Sequence, residues 1–294
     1  MSGPALITEP GVYDIAEDHY HADPVPGGSL SNSGAKKLLP PSCPAKFAYE
    51  REHPPQSSAA MELGTAAHQL VLGSGPKIAI IDAENWRTSA AKAAAKEARE
   101  QGAVPLLIAE FDQVQAMAAA IRQHPLASVL FNPEAGGRPE QSLFWRDEEF
   151  GIWRRARLDW LPDWHGYGRL IVPDYKTCAR ADRASVAKAV YDYGYFRQGP
   201  WYCDAIRALG LAADPAFVFV LQETSPPYLV TVGDLDEDAE DYGRAMNRLA
   251  CEVYRDCDKS GIWPGYGDGD DGQPRIAHIA LPPYAARQLE EILP

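Results

Sequence analysis

No stretch of eighteen apolar residues occurs in the 294-residue chain, and its opening lacks a basic segment followed by an apolar one. Neither a membrane span nor a signal peptide is expected, and the sequence reads as that of a cytoplasmic protein with no membrane partner. Cysteine is scarce. Cys43, Cys178, Cys203, Cys251 and Cys257 are odd in number and widely scattered, which argues against a disulfide framework and for reduced thiols. Cationic residues are few as well, 28 Lys and Arg against 41 Asp and Glu, and the net charge of -13 works against a chain-wide affinity for phosphates. No internal repeat of fixed period is visible. What is present, 46% hydrophobic and 10% aromatic residues, suffices for a buried core and excludes a disordered or collagen-like chain.

The charge is unevenly placed. Residues 151–200 hold nine Lys and Arg against five Asp, whereas residues 231–275 hold five Lys and Arg against twelve Asp and Glu. The middle is locally basic, and the later stretch reads as a solvated acidic face.

Hydrophobic periods divide the chain in two. In LSNSGAKKLLPPSCPAKFAYER (30–51), Ser31 or Ser33 caps a short helix that Pro40 and Pro41 stop, and a second helix follows Pro44. MELGTAAHQLVLG predicts a helix that carries His68 and ends at Gly73, and helical patterns continue over 86–100, 108–123 and 125–131. Residues 1–135 are therefore expected to form a helical lobe. From Pro139 the period changes: EQSLFWRD, GIWRRARLDWL and GRLIVPDYKT, separated by turn signals, predict three antiparallel strands in a meander. Two helices, the strands AFVFVLQE and YLVTVG, and a long amphipathic helix over 237–259 follow, and a Gly-, Pro- and Asp-rich end wraps the surface before a last short helix. The expectation is one domain over 1–294 of the α/β (α+β) class. A central mixed sheet with an antiparallel meander, flanked by helices, occupies 136–294, and the helical lobe precedes it.

Ionisable residues gather on the three expected strands: Glu140 on the first, Asp159 on the second, Asp174 and Lys176 on the third. Asp174 and Lys176, two apart, project from one face of a strand. A carboxylate and an ammonium beside the apolar LIV run are costly to desolvate unless they pair with each other or with a cation. If the neighbouring strand brings Asp159 beside Asp174, the two carboxylates repel unless a proton or a metal lies between them. Oxygen ligands of this kind suit Mg²⁺ or Mn²⁺, the ions of phosphodiester hydrolysis, while a buried Asp–Lys ion pair remains the alternative. Gln198 and Tyr202, four apart, share a helix face and offer an amide and a phenol. Arg154, Arg155 and Arg157 alternate on a strand, as phosphate contacts do and as ordinary surface residues also do.

Taken in order, GTAAH, a strand Glu, RLDWL, PDYKT and QGPWY resemble the motifs of the PD-(D/E)xK nuclease superfamily, in its RecB-like branch. The opening YHADP, LSNSGAKKLL and CPAKFAYER, with the late WPGY, are similar to the exodeoxyribonuclease VIII (RecE-like) nuclease domains of phages and prophages. The resemblance spans nearly the whole chain and departs in VPDYKT, where a proline and an aromatic replace apolar residues around the Asp. It implies a PD-(D/E)xK core with His68, Asp159 and Asp174 as metal ligands and Lys176 as the catalytic lysine. Asp159, Asp174 and Glu140 join it in catalysis, and Gln198, Tyr202 and Arg157 position the DNA. The implied activity is Mg²⁺-dependent, with Mn²⁺ able to substitute: 5′-to-3′ exonucleolytic digestion of double-stranded DNA ends. The implied partners are a single-strand annealing (RecT-like) protein and further copies of the chain in a ring. An endonuclease or single-strand-specific nuclease, and a non-catalytic DNA-binding scaffold, are the alternatives. Some RecB-like relatives hold an iron–sulfur cluster, but Cys251 and Cys257 stand without a Cys-x-x-Cys, so none is expected here. The run Asp268, Asp270, Asp271 lacks EF-hand spacing and reads as a solvated loop.

Overall fold

The computed structural model describes residues 5–53, 59–269 and 271–293, so Asp270 of the acidic loop lies outside the described residues. The first part of the chain runs β1 (Gly11–Tyr13), α1 (Glu17–His21), β2 (Leu30–Ser31), α2 (Asn32–Leu38), α3 (Pro44–Glu52), α4 (Ala59–Leu72), β3 (Ile78–Ile81), α5 (Ser89–Glu100), β4 (Val104–Leu107), α6 (Ile108–Gln123) and α7 (Ala127–Leu130). The second part runs β5 (Arg138–Asp147), β6 (Ile152–Leu161), β7 (Leu170–Cys178), α8 (Arg183–Asp192), α9 (Tyr195–Ala208), β8 (Pro215–Glu223), β9 (Val230–Gly233), α10 (Glu237–Ser260) and α11 (Pro283–Ile292). The mixed α/β fold read from the sequence is the fold observed. Among the described residues no helix is long and apolar enough to cross a membrane.

Side-chain caps set several helix boundaries. Ser31 Oγ accepts from the Gly34 N–H at 3.1 Å before α2, and Asp236 Oδ1 accepts from the Ala239 N–H at 2.8 Å before α10. Helix α10 adds Glu237, Asp238 and Glu240 to its positive end and stops at Gly261, whose φ is 71°. Its Gly243 lets it press onto α9, because a Cβ there would lie 1.9 Å from the carbonyl oxygen of Phe196. That contact fixes the helix that carries Gln198 and Tyr202.

The strands form three sheets among the described residues, in the orders β1-β5-β6-β2, β3-β4 and β7-β8-β9. The expected three-stranded meander is half present. β5 and β6 make the antiparallel hairpin, with Arg138 opposite Leu161 and Asp147 opposite Ile152. β7 instead pairs in parallel with β8, which pairs antiparallel with β9. The cause is local: Pro173 has no N–H, and the N–H of Tyr175 is donated to the Asp159 carboxylate at 2.7 Å, not to a β6 carbonyl.

The N-terminal residues are also less uniformly helical than their pattern suggests. β1 adds antiparallel to β5, β2 adds parallel to β6, and IAII and VPLL form the parallel pair β3-β4. Four-residue apolar runs are too short to separate a strand from a buried helical turn by period. Leu30, Leu38 and Phe47 share one core with Leu143, Leu158, Trp201 and Phe219. A second core joins Ala66, Ala67 and Met117 to Trp160, Tyr175 and Val220. A third sets Ile7, Tyr20 and Val25 on Phe144 and Trp153. Strand β6 is thus covered on both faces.

Candidate active site

The site lies where β6 and β7 part. Asp159 Oδ2, holding the Tyr175 N–H, also stands 3.8 Å from Nδ1 of His68 on α4. Tyr175 packs edge-on to His68, with ring centroids 5.0 Å apart, and its hydroxyl donates to Gln222 Oε1 at 2.6 Å. Gln222 in turn donates to the Met117 carbonyl at 2.9 Å. Both Tyr175 and Gln222 are fully buried, so a rigid polar chain through the second core fixes the backbone beside Asp159.

One residue along β7 the side chains turn to the other face. Lys176 Nζ sits 2.5 Å from Oδ2 of Asp174, and Gln198 Nε2 of α9 donates to Oδ1 of Asp174 at 2.7 Å. Tyr202, one turn beyond Gln198, packs edge-on to Phe217. Glu140 stands across the hairpin from Asp159: the ladder pairs Pro139 with Trp160 and Gln141 with Leu158, and skips the pair between them. Its φ of 54° places a non-glycine residue in the left-handed region, a strain that recurs at functional positions.

Burial without full neutralisation shapes the titration of these groups. The Glu140 carboxyl is pushed up to about 7, by burial first and by the charge of Asp159 next, against the pull of Arg157. Burial raises Asp159 and Asp174 above the usual carboxylate range too, although the Lys176 ammonium opposes it in both. Burial works against the Lys176 charge, but Asp174 and Asp159 outweigh it and hold the ammonium well above its ordinary value. His68 is lowered to about 4, by burial and then by Lys176, and is a neutral imidazole at neutral pH. Burial lifts the Tyr202 phenol well above 10, so it stays protonated.

The arginines of β6 are placed otherwise than their alternation suggests. Arg157 donates to Glu140 Oε2 (2.7 Å), the Ile15 carbonyl (2.9 Å) and Ser142 Oγ (2.8 Å), so it anchors Glu140. Arg155 pairs with Asp23 at 2.5 Å and donates to the Ser29 carbonyl. Arg154 lies 3.8 Å over the Trp201 ring and pairs with Asp147. The N-terminal segment and α9 cover the two faces of β6 and draw these cations inside.

Sequence reasoning missed Lys36, Tyr195 and Glu17. Lys36 Nζ donates to the Tyr193 carbonyl at 2.8 Å and lies 6.0 Å from the Tyr195 ring, which Lys176 also faces at 5.6 Å. Glu17 lies within electrostatic reach of Arg157 and His68. No spacing signal ties these residues to the site, because α1, α2 and α9 meet it only in three dimensions.

Among the described residues no three His, Cys, Asp or Glu side chains converge in a ready-made metal site. His68 and Asp159 are adjacent, but Asp174 is turned to Lys176 and Gln198. The donor chemistry nevertheless fits a divalent cation. A neutral imidazole and carboxylates held above their usual range chiefly by burial are groups that such an ion would satisfy.

A family described as a PDDEXK-like domain of unknown function (DUF3799) matches residues 31–271. No curated protein matches the chain. The crystal structure of a protein of Eubacterium rectale, provisionally described as an exonuclease, superposes with a TM-score of 0.56 at 13% identity, covering 93% of this chain and 98% of that one. At that identity the likeness is one of fold.

Proposed function

The chain belongs to this PDDEXK-like family, and from that membership and its carboxylate–lysine site we propose that it is a metal-dependent deoxyribonuclease. The finer reading is a RecE-like exonuclease that takes double-stranded DNA ends, digests 5′ to 3′ with Mg²⁺ or Mn²⁺, and leaves 3′ tails for an annealing partner in phage-type recombination. The observation that carries the nuclease reading is the Asp174–Lys176 pair, held by Gln198 and one strand away from Asp159, which faces His68 of α4. The exonuclease description of the structural neighbour favours ends over internal sites.

His68, Asp159 and Asp174 are the groups that would hold a cation, which when bound supplies charge neutralisation at the phosphate and acidifies water. The chain's own residues do the positioning. Gln198 holds Asp174, the Tyr175 N–H holds Asp159, and Arg157 holds Glu140, while Lys176 keeps a fixed ammonium where negative charge grows in the transition state. The test is digestion of linear duplexes labelled at the 5′ or the 3′ end, beside a closed circular duplex. Release of the 5′ label first in Mg²⁺ or Mn²⁺, none in EDTA, and an intact circle are expected. Nicking of the circle makes it an endonuclease, and digestion in EDTA removes the metal.

A cation should also stabilise the fold in a pH-dependent way. Glu140, raised to about 7, binds a proton in the folded protein that the unfolded chain has already released near 4.5. Stability from this group is therefore present at low pH and lost as pH rises through about 7. His68, lowered to about 4, is already uncharged in the folded protein from pH 6 to 8, so it releases no proton there when a cation binds, while the unfolded imidazole near 6.5 makes the metal-free fold gain stability from this group as pH rises through that value. A cation that offsets the freed carboxylates should raise the melting temperature more at pH 8 than at pH 6, by several degrees at saturation, roughly 2 to 3 kcal/mol. An increment that is flat with pH counts against a carboxylate site.

A further inference from the structure

Tyr195 is the middle of a file of rings that leads from the core out to solvent. Phe219, buried on β8, stacks on Tyr195 with centroids 5.6 Å apart, and Tyr195 meets Tyr193 at 5.6 Å. Tyr193 is 63% exposed, and Tyr191, 77% exposed, stacks on Phe196 with planes 11° apart. Exposed tyrosines supported from behind by other rings are held in place, and Gly194, at φ 65°, makes the tight turn that sets Tyr193 and Tyr195 on either side.

The electrostatics of this edge are opposite to those of the chain as a whole. Lys36, pinned to the Tyr193 carbonyl, has Lys176, Arg197 and Asp174 as its electrostatic neighbours, and its own ammonium is lowered to about 8 by burial and then by the two other cations. Asp174, the one carboxylate of that group, is already shared with Lys176 and Gln198. Asp192, beside the tyrosines, is engaged by Lys188. Lys36, Lys176 and Arg197 thus gather beside the Asp174–Lys176 pair, with the Tyr193 and Tyr195 rings at their edge. Cations track a phosphate backbone, and ring faces stack on bases. A duplex hides its base faces within the stack, so the occupant that fits is an unpaired strand.

We infer that Tyr191 and Tyr193 form a stacking platform for unpaired bases of a DNA strand whose backbone runs past Lys36 and Arg197 to the Asp174–Lys176 pair. The inference rests on the nuclease reading for the nature of the strand, but the platform is tested by binding alone. The probes are a short fluorescein-labelled oligothymidylate and a duplex closed by hairpin loops at both ends, titrated in EDTA and followed by anisotropy. Tyr191→Ala/Tyr193→Ala should bind the oligothymidylate at least about tenfold more weakly than wild type, since each stacked base contributes a factor of that order. Tyr191→Phe/Tyr193→Phe, which keeps the ring faces, should stay within about twofold, and binding of the closed duplex should be unchanged. Both rings are exposed, so the variants should melt as wild type does. The platform is overturned by wild-type affinity in the double Ala variant, by an equal loss on the closed duplex, by a Phe variant as weak as the Ala variant, or by a wild-type protein that does not bind the oligothymidylate. A wild-type protein that binds it through the tyrosines yet cleaves no DNA in Mg²⁺ or Mn²⁺ overturns the nuclease reading and leaves the platform standing.

Discussion

Lys176→Gln is expected to lower cleavage of linear duplex by about a hundred- to a thousandfold, the loss that follows removal of a preorganised charge from a transition state. The melting temperature should stay near that of the wild type. The ammonium lies 2.5 Å from Asp174 Oδ2 on a side chain only partly open to solvent, so its charge is fixed before substrate arrives. Removing it outright with Ala leaves Asp174 with Gln198 as its remaining hydrogen-bond donor, and a buried carboxylate that loses its cation costs roughly 3 to 5 kcal/mol unless it takes up a proton. Gln keeps a donor near Asp174 and much of the side-chain length, which separates the two roles. Digestion at the wild-type rate by a well-folded Lys176→Gln protein would reduce Lys176 to the partner in a structural ion pair. Loss of folding in Lys176→Ala with full activity in Lys176→Gln would say the same.

How much of this site could be read from residues alone depends on the range of the interactions that build it. Asp174 and Lys176 are two apart on a strand, and Gln198 and Tyr202 are four apart on a helix, so each pair was legible as one face. The nearness of Asp159 was legible too, but its route was not. A backbone ladder was expected, and a side-chain acceptor for the Tyr175 N–H replaces it. Period carries no record of such a bond. Lys36 reaches the site across 157 residues through the Tyr193 carbonyl, and β1 and β2 are too short to show a period of their own. For the same reason the surroundings of the β6 arginines were not legible. Alternation along WRRARLDW reports that one face differs from the other, and it does not report that the N-terminal segment will cover the face carrying Arg155 and Arg157.

Arg154 shows what that covering means energetically, and its replacement should act on stability and not on DNA. Its side chain, 7% exposed, donates to Asp147 Oδ2 at 2.9 Å, reaches Asp204 at 3.5 Å, and lies over the Trp201 and Trp145 rings at 3.8 and 4.9 Å from their centroids. Asp204 keeps Arg244 and Arg207 as partners, so most of the electrostatic deficit in Arg154→Ala falls on Oδ2 of Asp147, while the vacated volume lies against the two indoles. Breaking one side of a buried pair costs about 3 to 5 kcal/mol, a large share of the stability of an ordinary domain. Arg154→Lys should recover only part of this, because a compact ammonium does not reproduce a planar group stacked on indole. Urea denaturation measures the loss, and filter binding at low and moderate salt measures phosphate contacts in the folded protein. The expected outcome is a midpoint shifted strongly downward with DNA affinity per folded molecule, and its salt slope, unchanged. A variant that unfolds at the wild-type midpoint but has a shallower salt slope would instead restore Arg154 as a contact to the DNA backbone.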